Sequence, residues 1–145
     1  MKAIPFPQFR VNAPEHWFDV TNEVEGESPP ATLAADEGLG ALQFSVEELP
    51  AAKAQNISVT DLRALLKEFA TAHNLGAPLT VAAMSEPRPL LSANFQWEGD
   101  FLKVWYLADK GRLVFATYTC DEGEAFAEEL SEAEQIVRSV VVIAN

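Results

Sequence analysis

The chain reads as one α+β domain, an antiparallel sheet of about six or seven strands with one helix on each face. Three observations predict this layered α/β/α arrangement. Two segments carry helical periodicity behind capping signals, one from Val59 to Asn74 and one after Ser131. The remaining chain is mostly short alternating or apolar runs, punctuated by glycine and proline. Two of those runs, Phe101 to Ala108 and Arg112 to Cys120, are apolar on both faces, which places them in the middle of a sheet covered on both sides.

In chain order, the first 15 residues hold Pro5, Pro7 and Pro14, and read as an extended arm with a short strand at Phe9 to Val11. Trp17 to Thr21 is the first solid strand. Glu23 to Pro30 forms a turn and Ala31 to Ala35 pairs back. Ala41 to Val46 puts Leu42, Phe44 and Val46 on one face and Gln43 and Ser45 on the other, a half-buried strand. Pro50 to Asn56 is a loop. Ser58 is a good N-cap, Asp61 completes a capping box, and Ile57 stands where it can pack on Leu62 as a hydrophobic staple. Leu62, Leu65, Leu66, Phe69 and Ala70 make the apolar stripe of that helix, and Gly76 and Pro78 stop it. A meander follows: Leu79 to Met84, Leu91 to Trp97, a tight turn at Glu98-Gly99, Phe101 to Ala108, a hairpin loop at Asp109-Lys110-Gly111, and Arg112 to Cys120. Glu124 to Leu130 adds a short helical turn. Ser131 and Glu134 then form a capping box for a last helix striped by Ala133, Ile136, Val137 and Val140. No repeats and no interdomain linker interrupt the 145 residues, a usual size for one domain.

Charge is the unusual quantity. Ten Lys and Arg oppose 22 Asp and Glu, a formal net charge of -12. That balance repels phosphate backbones and anionic lipid surfaces, so neither nucleic acid nor a membrane is expected as partner. It suits solubility and a basic protein partner. The acids are also clustered. Val11 to Ala52 has no Lys or Arg and holds Glu15, Asp19, Glu23, Glu25, Glu27, Asp36, Glu37, Glu47 and Glu48. Leu113 to Val137 has none either and holds Asp121, Glu122, Glu124, Glu128, Glu129, Glu132 and Glu134. The start of the chain does not resemble a secretory signal, and no apolar run nears the roughly 20 residues of a membrane span, so the cytoplasm is the expected location.

Chemistry-bearing patterns are sparse. There is no glycine-rich phosphate loop and no nucleophile elbow. His16, His73 and Cys120 do not fall in a metal-ligand spacing, and no cofactor is expected. Cys120 ends a core strand beside Asp121 and Glu122, whose charge suppresses the thiolate, so it reads as a buried structural cysteine. His73 sits near a helix C-terminus, where a cation suits the dipole, and His16 is expected to have no role. The carboxylate pairs Glu47-Glu48, Asp36-Glu37, Asp121-Glu122 and Glu128-Glu129 read as solvated surface, since acid–base work needs two carboxylates converging in a cleft. Most aromatics fit core positions. Trp97 also reads first as a core residue on the buried face of its strand, but at a hairpin end beside Glu98-Gly99-Asp100 it is the one aromatic placed to anchor a partner instead. The expected partner-binding set is Trp97, Asp121, Glu122, Glu124, Glu128 and Glu129.

Trp17-Phe18-Asp19-Val20-Thr21, Ser28-Pro29-Pro30-Ala31-Thr32-Leu33 and Gly38-Leu39-Gly40-Ala41-Leu42-Gln43-Phe44-Ser45 resemble a group of small uncharacterised bacterial proteins. So do Val104-Trp105-Tyr106-Leu107, Phe115-Ala116-Thr117-Tyr118-Thr119-Cys120 and Glu132-Ala133-Glu134-Gln135-Ile136-Val137-Arg138-Ser139. The order of elements is similar to the fold of the photosystem II extrinsic PsbP subunits and of the small Ran-binding import factor. That resemblance implies a sandwich used for protein binding, although a fold does not fix a function. Some proteins of this kind look like immunity partners of secreted toxins. The sequence-based expectation is therefore a non-enzymatic binding domain, an immunity protein against a cognate toxin. An assembly factor for a larger complex, and a small enzyme or ligand-binding protein with a sheet-edge pocket, are the alternatives.

Overall fold

The computed structural model describes residues 1–49, 57–120 and 127–143. Its centre is a seven-stranded antiparallel sheet in the order β3-β4-β5-β9-β8-β7-β6. The strands are β3 (Trp17–Asp19), β4 (Ala31–Ala35), β5 (Gly40–Glu48), β6 (Thr80–Met84), β7 (Leu90–Trp97), β8 (Asp100–Asp109) and β9 (Arg112–Cys120). Helix α1 (Val59–Ala72) covers one face, and helix α2 (Ala127–Arg138) the other. A second sheet of three strands, β1 (Lys2–Pro5), β2 (Phe9–Ala13) and β10 (Val141–Val142), packs on the α2 side in the order β1-β2-β10.

The two-faced pattern of β8 and β9 does what it predicts. Trp105, Leu107, Val114, Ala116 and Tyr118 point to the α2 side, where they meet Ala133, Ile136 and Val137. Leu102, Val104 and Tyr106 point to the α1 side, with Leu91, Ala93 and Phe95 of β7, and meet Leu62 and Leu66. Each fully buried side chain of this size contributes about 1.5–3 kcal/mol, so both helices are held chiefly by these stripes. Tight turns set the register. Trp97 pairs with Asp100 across Glu98 and Gly99, and Asp109 with Arg112 across Lys110 and Gly111, all four turn residues having positive φ.

Helix α1 begins as its sequence demands. Ser58 Oγ accepts from Asp61 N at 3.4 Å and Asp61 Oδ2 accepts from Ser58 N at 2.9 Å, a reciprocal cap worth about 1 kcal/mol. The helix ends at Ala72, two residues short of Asn74, because Asn74 and Gly76 take positive φ.

Two expectations are corrected. The N-terminal arm holds more than the one short strand expected at Phe9 to Val11: that strand is β2, β1 forms a hairpin with it, β10 pairs on its other side, and Ile4, Phe9, Val11 and Ala13 are buried. The alternation Phe9-Arg10-Val11-Asn12-Ala13 drives this, with β1 as the near partner on one side, but the partner on the other side is remote in sequence. That partner, β10, lies beyond α2. The second correction concerns α2, which starts before Ser131, so Ser131 is an interior residue and not a cap. The sheet-facing stripe extends back through Leu130 and Glu129, and packing outweighs a local capping pattern.

Candidate partner-binding surfaces

Helix α2 presents several of its acids to the protein, not to solvent. Positions 129, 132, 133 and 136 share one side of a helix by the i, i+3, i+4 rule. That side faces the sheet, so Glu129 and Glu132 are carried inward with Ala133 and Ile136. Each inward acid meets the polar tip of a buried aromatic residue. Tyr118 Oη donates to Glu129, Trp17 Nε1 donates to Glu132 Oε1 at 3.1 Å, and Trp105 Nε1 donates to Glu134 Oε1 at 2.9 Å. A buried phenol or indole must place its one polar hydrogen, and these carboxylates take it.

Glu129 is the most enclosed of the three, 7% exposed. Besides Tyr118 it accepts from Leu39 N at 3.1 Å and from Gly40 N at 3.1 Å. The segment Gly38-Leu39-Gly40 wraps the carboxylate. A Cβ on Gly38 would stand 2.5 Å from Glu129 Oε1, and one on Gly40 would strike Thr119 O and lie 2.7 Å from the Tyr118 ring. The two glycines are thus required for close approach. Burial, and then the bond to Glu129, push the Tyr118 hydroxyl far above the ordinary tyrosine range. Glu134 is held by charge as well. Burial pushes its carboxyl up, but hydrogen bonds from Arg138 Nε at 2.6 Å and Trp105, with Lys103 Nζ at 3.2 Å, outweigh burial and hold it below the usual range.

The expected site residues therefore separate. Glu129 is buried and its carboxylate is spent on Tyr118 and the Gly38–Gly40 backbone, which gives it a role in the fold, although it also lines the cleft formed beside Glu128. Asp121, Glu122 and Glu124 lie outside the described residues. Glu128 is exposed and joins Asp36, Glu37 and Glu132 around a cleft of about 320 Å³ between α2 and the β4–β5 turn. The two basic-free stretches of sequence thus converge in space. His16, expected to be idle, lines the same cleft and bonds Glu132 Oε1 through Nε2 at 2.9 Å. Sequence spacing gave no hint of this, because the partners are 116 positions apart.

Trp97 is 39% exposed at the end of β7, with the His73 ring edge-on at 6.3 Å. His73 itself lies against Phe69 at 4.5 Å. Cys120 is buried at the end of β9, as its place at the end of a core strand suggested. A second surface went unrecognised in the sequence: an open groove of about 470 Å³ between α1 and the edge strand β6. Leu66, Ala70, Val81 and Phe95 make its apolar part, and Arg63 and Lys67 stand on its helix side.

No family model and no curated protein matches the chain. Among solved structures, it is similar to the solution structure of cyanobacterial PsbP (CyanoP) from Synechocystis sp. PCC 6803, with a TM-score of 0.62 and 16% identity over 98% of this chain and 92% of that one. It is also similar to a crystal structure from Bacteroides thetaiotaomicron VPI-5482, with a TM-score of 0.56 and 16% identity over 95% of this chain and 46% of that one. Likeness at such identity speaks for the fold and not for what the fold does. The expected α+β sandwich, a seven-stranded antiparallel sheet with a helix on each face, is the PsbP-like fold, and this chain has it from β1 to β10.

Proposed function

We propose that this chain is a non-enzymatic protein-binding domain that engages a basic protein through the acidic cleft of Asp36, Glu37, Glu128 and Glu132. The observation that carries the reading is the convergence of two separate basic-free stretches on one cleft between α2 and the β4–β5 turn. Acids gathered on one side steer and orient a cationic partner, whereas scattered acids only solubilise. The non-enzymatic half of the reading is supported by the roles of the chemistry-bearing residues. Cys120 lies in the core, His73 packs on Phe69, His16 is tied to Glu132, and Glu129 is enclosed. In its sharpest form, the chain is an immunity protein whose cleft covers the basic active surface of a cognate toxin.

The test is a pull-down of the product of a neighbouring toxin-like gene at about 50 and about 300 mM salt, where screening shortens from about 14 to about 6 Å. Binding that weakens with salt, and weakens about tenfold or more when Asp36, Glu37 and Glu128 are changed to Lys, is the expected result. Salt-insensitive binding, or none, removes the cleft as the site. Co-purification with one constant cellular partner in the absence of any toxin gene would instead make the chain an assembly factor.

A further inference from the structure

The groove beside α1 and the strand that borders it form a surface that the acidic cleft does not explain. The seven-stranded sheet has two edges, and they are treated differently. The β3 edge is three residues long, carries Asp19, and is guarded by the Lys2 ammonium 4.1 Å over the Phe18 ring. Short length and charge are the usual defences of an edge. The β6 edge has neither. Leu79 to Met84 contains no charged residue and no proline, and Leu79 and Val81 are 60% and 41% exposed. β6 pairs with β7 on one side, and among the described residues the sheet ends there. Its outward backbone groups are a template for one more strand.

The groove lies where the side chains of that strand would fall. Val81 and Ala83 pair with Ala93 and Leu91, so they share the α1 face of the sheet. On the opposite wall stand Arg63 and Lys67, one turn apart. Most described cations are already engaged inside the molecule. Arg88 pairs with Asp109, Lys103 and Arg138 with Glu134, and Arg112 with Glu48, while Lys2 and Lys110 bond backbone oxygens. Among the described residues, Arg10, Arg63 and Lys67 are the cations with no such bond, and two of these three share the groove. Among the described residues, the groove lining holds no acid. In a chain of net charge -12, an acid-free apolar groove with two uncommitted cations is a local inversion of the molecule's character.

We propose that the β6 edge and the α1 groove take an extended acidic–apolar segment of a partner protein as an added strand. Its apolar side chains lie over Val81 and Phe95, and its carboxylates face Arg63 and Lys67. Alternation of the two residue kinds matches the period of a strand, with main-chain bonds giving affinity and the groove giving selectivity. A second copy of this chain fits less well. Joining two β6 edges would bring together two bodies of net charge -12 and would supply the cations with no acids from β6. A fatty acid would satisfy Arg63 or Lys67 but leave the β6 backbone edge unused. This surface is on the opposite edge of the sheet from the acidic cleft, and the proposal stands independently of it.

The experiment is selection of random peptides of about twelve residues, displayed on phage, against the purified full chain. Sequences alternating apolar residues with Asp or Glu are expected to be enriched. Selected peptides should lose at least about tenfold in affinity on Arg63→Glu/Lys67→Glu and on Val81→Lys, and keep it on Glu128→Lys. All these positions are exposed, so circular dichroism should report an unchanged fold. No enrichment, enrichment of basic peptides, or binding indifferent to Arg63→Glu/Lys67→Glu would overturn the proposal. So would a dimer in sedimentation that Val81→Lys dissolves, or a fluorescent sixteen-carbon fatty acid that competes with every selected peptide.

Discussion

If Glu129 is an internal tie, removing it must destabilise the protein whatever it does to binding. In Glu129→Ala, three donors lose their acceptor at once: the Tyr118 hydroxyl, Leu39 N and Gly40 N. A buried donor left without a partner costs about 1–3 kcal/mol, and breaking a buried charged network as a whole costs about 3–5 kcal/mol. Set against the roughly 5–15 kcal/mol that stabilises a domain, this is about a fifth of the total or more. Glu129→Gln keeps one acceptor oxygen but turns an NH₂ toward a donor, so about 2 kcal/mol is expected. Urea unfolding followed by tryptophan fluorescence measures both, and the slope against denaturant should not change. Tyr118→Phe closes a double-mutant cycle. Glu129→Ala and Tyr118→Phe together should cost about 1–2 kcal/mol less than the sum of the single changes, because they break one bond in common. A loss below about 1 kcal/mol for Glu129→Ala, or additivity within about 0.5 kcal/mol, would refute the inward placement of this carboxylate.

Further outcomes follow from the same geometry. Gly40→Ala should cost about 3 kcal/mol or more, since its Cβ meets the Thr119 carbonyl and the Tyr118 ring, while Gly99→Ala, strained only by its positive φ, should cost about 1 kcal/mol by the same denaturation. The carboxyl of Glu134 is lower in the folded than in the unfolded chain, so the unfolded state takes up the proton first on acidification. Its contribution is intact above the ordinary value of 4.5 and is lost as pH falls through the lowered folded value, and Glu134→Gln should flatten that acid limb of a stability-against-pH curve. Tyr106 moves the other way, pushed up to about 12 by burial and by Glu47 and Glu68, so stability should decline from pH 10 toward pH 12, and decline less in Tyr106→Phe. Trp17 and Trp105 are fully buried and Trp97 is 39% exposed, so iodide should quench one component of the fluorescence, which Trp97→Phe abolishes.

The fold was legible where local sequence and tertiary packing agree. Ser58 and Asp61 mark the start of α1 by a bond between neighbours, and the two-sided apolar pattern of β8 and β9 can only be a covered sheet. It was illegible where the partner is remote. β2 alternates over five residues and pairs with the neighbouring β1, but its second partner, β10, lies at the far end of the chain. The Ser131–Glu134 pattern has the form of a cap, yet Glu134 is committed to Trp105, Lys103 and Arg138. The site residues divide by the same rule. Alternation alone would put Trp97 in the core, and its 39% exposure comes from its place at the hairpin end, whereas the enclosure of Glu129 depends on Tyr118 and on a Gly38-Leu39-Gly40 segment some 90 residues away.

Counting acids therefore overstates the surface available to a basic partner. Glu129 and Glu134 carry two of the twenty-two negative charges, and both are turned to donors inside the protein. Glu132 is shared, bonded to His16 and Trp17 while still lining the cleft. Among the described residues, Asp36, Glu37 and Glu128 are the acids that line the cleft without a side-chain bond of their own, and they converge there. The same accounting applied to the cations reverses the emphasis. Most are consumed by internal bonds, so Arg63 and Lys67 stand out, although the sequence around them looks like an ordinary amphipathic helix. For binding, the charges that matter are those left over after the fold has taken its share, since a committed ion must break its own bond before it can make another. On that ground the acidic cleft and the basic-rimmed groove at the other edge of the sheet are two surfaces of opposite preference, and a partner of either kind should distinguish them by the sign of the charge reversal that abolishes its binding.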